Sequence, residues 1–189
     1  MRPISDRPTA EVMEVEYLYA DNTLPQLLDI MEVHLAAPKP HAHQTENHGI
    51  APVRWKKLGT ASYGDLAGMI DNKPSLWGTG DATFGGMNDC LSPEEAGKYD
   101  HSLLLIKPTD LKVRVGIEGY IYKKRAVRAF FEYRGTKYAL KVTDPVADEA
   151  FRNKEDGDYP LDAFLCVSLT EPYDKDNRCH KLAAAVFSR

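Results

Sequence analysis

The chain has 189 residues, 43% of them apolar and 28% charged, with a formal net charge of −4. That composition is too apolar for a disordered chain, and the length holds one large domain or two small ones. The acidic balance argues against indiscriminate binding to nucleic acid; the longest apolar stretches fall short of the ~20 residues of a membrane helix; and Cys90, Cys166 and Cys179, odd in number and without close spacing, disfavour a disulfide framework or a cysteine-based zinc site.

The N-terminus, MRPISDRPTAEVMEVEY, has proline and charges where a secretory signal needs an apolar core, so a cytoplasmic protein with no membrane association is expected. LLDIMEVHL (27–35) roughly alternates apolar and polar residues and reads as a strand, stopped by the two prolines of PKP (38–40). The following loop carries His41, His43 and His48 within eight positions, with Gln44, Glu46 and Asn47 among them. IAPVRWKKLG (50–59) reads as extended, anchored by Val53, Trp55 and Leu58, and Ser62 and Asp65 have the spacing of a capping box before a short helix. Residues 71–91 form a long stretch of Gly, Asn, Asp and Pro, in which Leu76, Trp77, Phe84 and Met87 are the apolar residues available to pack it down. Ser92, Pro93 and Glu95 then give a clear helix start, ended by Gly97.

The second half changes period. HSLLLIKP, DLKVRVGIEGYIY and KKRAVRAFFEY alternate as half-buried strands, and Arg134-Gly135 turns the last of them into TKYALKVTDP, the clearest hairpin in the chain. Strand parity puts Phe131, Tyr133 and Tyr138 in a core and sets Phe130 on the side of Arg128 and Glu132. One helical turn follows in VADEAF, and AFLCVSL and HKLAAAVF close the chain as strands covered on both faces. Many short strands with hairpin connections and only short helices predict an all-β protein of two small barrels, residues 1–100 and 101–189, divided at LSPEEAGKYD.

Charge is segregated along the chain. Between Lys107 and Lys141 stand ten basic against three acidic residues, a net +7, which leaves −11 for the remainder. Such a segment makes a local positive face on an acidic protein, or simply the solvated outer sides of antiparallel strands. In the same stretch Tyr120, Tyr122 and Phe130 are interleaved with Lys123, Lys124, Arg125 and Arg128, the combination of stacking surfaces and cations that single-stranded nucleic acid requires.

Three readings of the histidine loop stand open. His41, His43 and His48 are candidate zinc ligands, with Glu46 completing a metal-dependent hydrolase, although no HExxH or similar framework accompanies them. Three histidines in a polar loop also arise without metal, as ordinary hydrogen-bonding residues. In the third reading His41, Gln44, Glu46 and Asn47 offer fixed donors and acceptors for a small ligand or base. A nucleophile elbow and a phosphate loop are both missing from the sequence, so no cofactor and no catalytic residue is assigned.

RPISDRP, LLDIMEVHL followed by HAHQTENHGI, FGGMNDCL, FFEYRGTKYALKVTDP and FLCVSLTEP with HKLAAAVF resemble the bacterial dual OB-domain-containing proteins over nearly the whole chain. The resemblance implies two OB-like barrels and recognition of nucleic acid or nucleotides, including in prokaryotic conflict systems, without an enzymatic activity. Members of that family carry a further segment before the R-P-x-S motif. Its absence here predicts a first barrel lacking a strand, with an open edge for a second copy of the chain or another protein partner.

Overall fold

The computed structural model describes residues 1–119 and 122–189. The protein is mostly β with short helices, as expected, and it divides into two compact units: Met1–Asp65 with Asp100–Ser102, and Leu66–Tyr99 with Leu103–Arg189. The sequence placed the division near residue 100. Residues 66–99 pack instead with the later strands, because Leu76, Trp77, Leu91 and Ala96 belong to the same buried cluster as the barrel residues.

In the first unit, strand β1 (Arg2–Ile4) is followed by a single helical turn, α1 (Glu14–Tyr17), and by strands β2 (Asp29–Glu32), β3 (Leu35–Pro38), β4 (Asn47–Ile50) and β5 (Lys56–Thr60). They form two small sheets, β1-β4-β3 and β2-β5. Of the strand predicted over 27–35 only Asp29–Glu32 forms as β2; β3 starts at Leu35, runs into Pro38 and pairs in a different sheet. Val53 and Leu58, expected as anchors, are exposed, whereas Trp55 is half-buried and packs 6.0 Å from the Tyr17 ring. Asp65 caps its own turn as predicted, accepting hydrogen bonds from the backbone and hydroxyl of Ser62.

The second unit begins with β6 (Cys90–Leu91) and helix α2 (Pro93–Ala96), where the Ser92 hydroxyl accepts from the Glu95 N–H. Strands β7 (Leu103–Ile106), β8 (Thr109–Glu118), β9 (Lys124–Tyr133) and β10 (Thr136–Val142) lead into helix α3 (Pro145–Arg152), then β11 (Gly157–Pro160), β12 (Ala163–Pro172) and β13 (Cys179–Ser188). The sheet order is β11-β8-β9-β10-β13-β12-β7, with β10 and β13 parallel and the other pairs antiparallel. Only Lys107 and Pro108 separate β7, at one end of that order, from β8, near the other. Pro108 has no N–H to give, so the chain changes partner there, and β7 plus β8 act as one strand that meets both β12 and β9. A meander, a helix and a hairpin whose last strand lies parallel to the third make the order of an OB-like barrel.

The core lies inside that curl. Phe131, Tyr133, Tyr138, Leu140, Leu165, Val167 and Leu169 are buried in it, as strand parity predicted for the three aromatic residues. β10 and β13 pair at only two positions, Lys141 with Leu182 and Val142 with Ala183. The long 71–91 segment supplies the missing pairing: Met87 exchanges two backbone hydrogen bonds with Ala139 of β10, and β6 pairs with Cys179 and His180 of β13. Leu76 and Trp77 are buried as expected, whereas Phe84 and Met87 are exposed.

Candidate functional site

The histidine loop folds on itself. His41 and Gln44 exchange backbone hydrogen bonds across a tight turn, with Ala42 at φ 48°. His43, Gln44 and Asn47 are buried; the Asn47 amide donates to Gln44 Oε1 at 3.1 Å. Glu46 Oε1 accepts from the backbone N–H and the hydroxyl of Ser102 at 2.8 and 2.6 Å, tying residues 100–102 to the first unit. Burial pushes the Glu46 carboxyl up, but these donors outweigh it and hold the group below its usual range. His48 Nδ1 bonds the Glu46 carbonyl oxygen at 2.9 Å, and His41 is exposed. The three histidines are thus distributed between surface and interior, and among the described residues no three His, Cys, Asp or Glu side chains are grouped to hold a metal ion. Asn47 Oδ1 and Glu46 Oε2 are buried without a hydrogen-bond partner.

The basic segment falls on the second unit. Its outward residues form rows across β8, β9 and β10: Lys112 opposite Phe130 opposite Ala139, and Arg114 opposite Arg128 opposite Lys141. Two depressions on this unit share Phe84, Arg128 and Lys141. One, of about 610 Å³, reaches the loop between β8 and β9 and is lined by Glu118, Tyr122, Lys124, Arg125 and Arg152. The other, of about 640 Å³, reaches the loop between β12 and β13 and is lined by Glu171, Tyr173, Asp176 and His180. They adjoin at these three shared residues and are taken together as one groove.

The cations singled out from the sequence have unequal freedom there. Arg128 is buried: its Nε and Nη2 bond Glu118 at 2.6 and 3.0 Å, Nη1 reaches Asp89 at 3.4 Å, and Nη2 donates to the Phe84 carbonyl at 3.1 Å. Arg125 is held by Asp156 at 2.7 Å and by the carbonyls of Arg152 and Lys154. Lys124 and Lys141 are exposed on the groove, Tyr122 is 82% exposed beside them, and Lys123 is exposed but lines neither depression. Phe130 lies in a separate hollow of about 510 Å³, with the Arg114 guanidinium stacked 4.1 Å above its ring. Tyr120 lies outside the described residues.

Against the known protein families, the model of the dual OB-containing domain matches residues 1–186. The chain belongs to that family. A search of the curated proteins and a search of the solved structures each gave no match.

In OB-type barrels the outer face of the second and third strands, flanked by the first hairpin loop and the last, is where oligonucleotides and oligosaccharides bind. In this dual OB domain those strands are β9 and β10, and the flanking segments are the ones that follow β8 and β12. Tyr122, Lys124, Arg125 and Arg128 reach that groove, whereas Phe130 and Lys123 do not. Phe84, Lys141, Tyr173 and His180 also line it, although the sequence did not single them out as binding residues. Lys141 was legible as an outward residue of the hairpin, since it shares parity with Lys137. Phe84 stood in a loop rich in glycine, and its position follows from the Met87–Ala139 pairing, which carries no local signal. Among the described residues, no helix is long and apolar enough to cross a membrane.

Proposed function

We propose that this chain is a non-enzymatic binding module whose second OB-like unit engages single-stranded nucleic acid or a nucleotide in the groove between the β8–β9 and β12–β13 loops. The observation that carries this reading is that two adjoining depressions share Phe84 and Lys141, which sets exposed rings (Tyr122, Phe84 and Tyr173) near exposed lysines (Lys124 and Lys141). Rings of that kind stack on bases for roughly 1–3 kcal/mol each, and lysines take up backbone phosphates. The polar residues of the histidine loop hold their own turn and Ser102, so this proposal does not draw on them. Binding by capture and stacking also suits the conflict-system setting that the family resemblance implies, where nucleic acid is sensed. Fluorescence anisotropy of a labelled single-stranded oligonucleotide, titrated with the protein at low and at near-physiological salt, tests the proposal. Binding at low salt that weakens steeply at the higher salt is the expected result; no binding at low salt refutes it.

A further inference from the structure

Residues 83–89 form a strap laid over β9 and β10. Met87 holds it to Ala139 through backbone hydrogen bonds of 3.3 and 3.0 Å, and the Asn88 amide donates to the Lys137 carbonyl at 2.8 Å. Asp89 accepts from the Thr83 N–H at 2.7 Å and pairs with buried Arg128, which itself donates to the Phe84 carbonyl. Gly85 and Gly86 let the strap lie this close. Gly85 sits at φ +80°, where a Cβ would come within 2.8 Å of the Glu118 carboxylate, and a Cβ on Gly86 would fall 1.9 Å from Asp89 Oδ2.

On this pinned segment the Phe84 side chain remains 59% exposed, and it lines both depressions. The two sides differ in chemistry. Lys124 and Arg152 line one, where the carboxylate of Glu118 is already taken by Arg128, and Lys141 is shared by both. Tyr173 and His180 line the other together with Glu171 and Asp176, whose negative charge repels phosphate; Asp176 is bonded by the His180 ring and by the Arg178 N–H. Phe84 lines both sides.

We propose that Phe84 is a stacking wedge and that the ligand is a single strand of at least two nucleotides, with a base against Phe84 on the Tyr173 and His180 side and phosphates over Lys124 and Lys141. This inference rests on the nucleic-acid reading above and narrows it by excluding a mononucleotide as the main ligand.

The test compares thymidine monophosphate, a phosphorylated thymidine dinucleotide and a longer oligothymidylate on the wild type, Phe84→Ala and Phe84→Trp. The strap's anchors are the backbones of Phe84 and Met87 and the side chains of Asn88 and Asp89, which these substitutions leave in place; an unchanged thermal midpoint checks this. The wild type is expected to bind the dinucleotide about 10-fold or more tighter than the monophosphate, Phe84→Ala to lose that gain, and Phe84→Trp to keep it. A dinucleotide carrying 2-aminopurine should be quenched by the wild type and stay bright with Phe84→Ala. If the oligothymidylate binds but the monophosphate and dinucleotide bind alike, or if Phe84→Ala binds the oligomer as tightly as the wild type, the wedge is overturned while the broader reading stands. If no probe binds at low salt, both fall.

Discussion

Lys181 is the residue whose environment departs furthest from what its type suggests. It is fully buried on β13, with Nζ donating to the Gly78 carbonyl at 3.1 Å and lying 5.4 Å from the centre of the Tyr138 ring. Burial pushes its pKa down from 10.5 to about 8. Between those two values the unfolded chain holds a proton that the folded chain has released, so the contribution of Lys181 to stability rises with pH across that window and is least favourable below it. Each unit of such a shift is about 1.4 kcal/mol. Urea denaturation of Lys181→Met should therefore show its largest gain relative to wild type near pH 7, shrinking as the pH is raised through the window. A difference that stays constant with pH would mean that Lys181 does not titrate there. In the sequence, HKLAAAVF read as a strand covered on both faces; it is a strand whose residues alternate between buried and half-buried, and Lys181 falls on the buried side with Cys179 and Ala183. The partners that make its burial tolerable come from Gly78 and Tyr138, distant in sequence and therefore illegible. Arg128 follows the same logic. Its positive charge was read as an outward contact for a ligand, but Glu118 and Asp89, contributed by β8 and the 71–91 segment, enclose it. Residue type showed a charge on an outward position and could not show what would come to lie over it.

Among the elements, those fixed by local chemistry were legible. The helix at Ser92-Pro93 and the hairpin at Arg134-Gly135 stand where cap, proline and turn residues placed them. Elements fixed by pairing were not: β2 covers only part of the strand read over 27–35, β3 begins at its end and runs on into another sheet, and β6 is two residues long and set by its pairing with β13. Helix α3 combines both kinds of information. Asp144 caps it as its TDP context suggests, with Oδ1 accepting from the N–H groups of Val146 and Ala147 at 2.9 and 3.2 Å. Its Oδ2 accepts from the Val186 N–H on β13 at 2.8 Å, so one buried carboxylate fastens the helix start to the last strand. Asp144→Ala removes the cap and leaves the Val186 donor buried without a partner. Together these should cost about 2–4 kcal/mol, with Asp144→Asn costing less because its amide oxygen still accepts. Urea denaturation at neutral pH reads the difference, and a loss no greater than that of an exposed helix cap would show that the bond to Val186 carries nothing.

Over the whole molecule, the sequence conveyed composition and hid partition. A break near residue 100 was visible, but the 66–99 segment belongs with the second unit because Leu76 and Trp77 fill its core and Met87 fills a gap in its sheet. Contacts of that range leave no periodicity to read. The segregated charge was legible: a segment of net +7 within a chain of −4 supplies the exposed face of one unit. Four of those ten cations are ion-paired, Lys107 with Asp162, Arg114 with Asp158, Arg125 with Asp156 and Arg128 with Glu118 and Asp89, so the electrostatic part of binding should be smaller than +7 suggests. Lys124 and Lys141 are the exposed lysines on the groove, and each phosphate neutralised on a single strand contributes about 0.7 to the slope of log affinity against log salt. Replacing both with glutamine should therefore lower the slope by about 1.4, the contribution of two phosphate contacts, and weaken binding most at low salt. The same change of charge at Lys73 and Lys98, which do not line the groove, distinguishes local contact from a change in net charge. Anisotropy titrations over a salt series decide it: equal slopes for the two double variants would place the phosphate contacts away from this face.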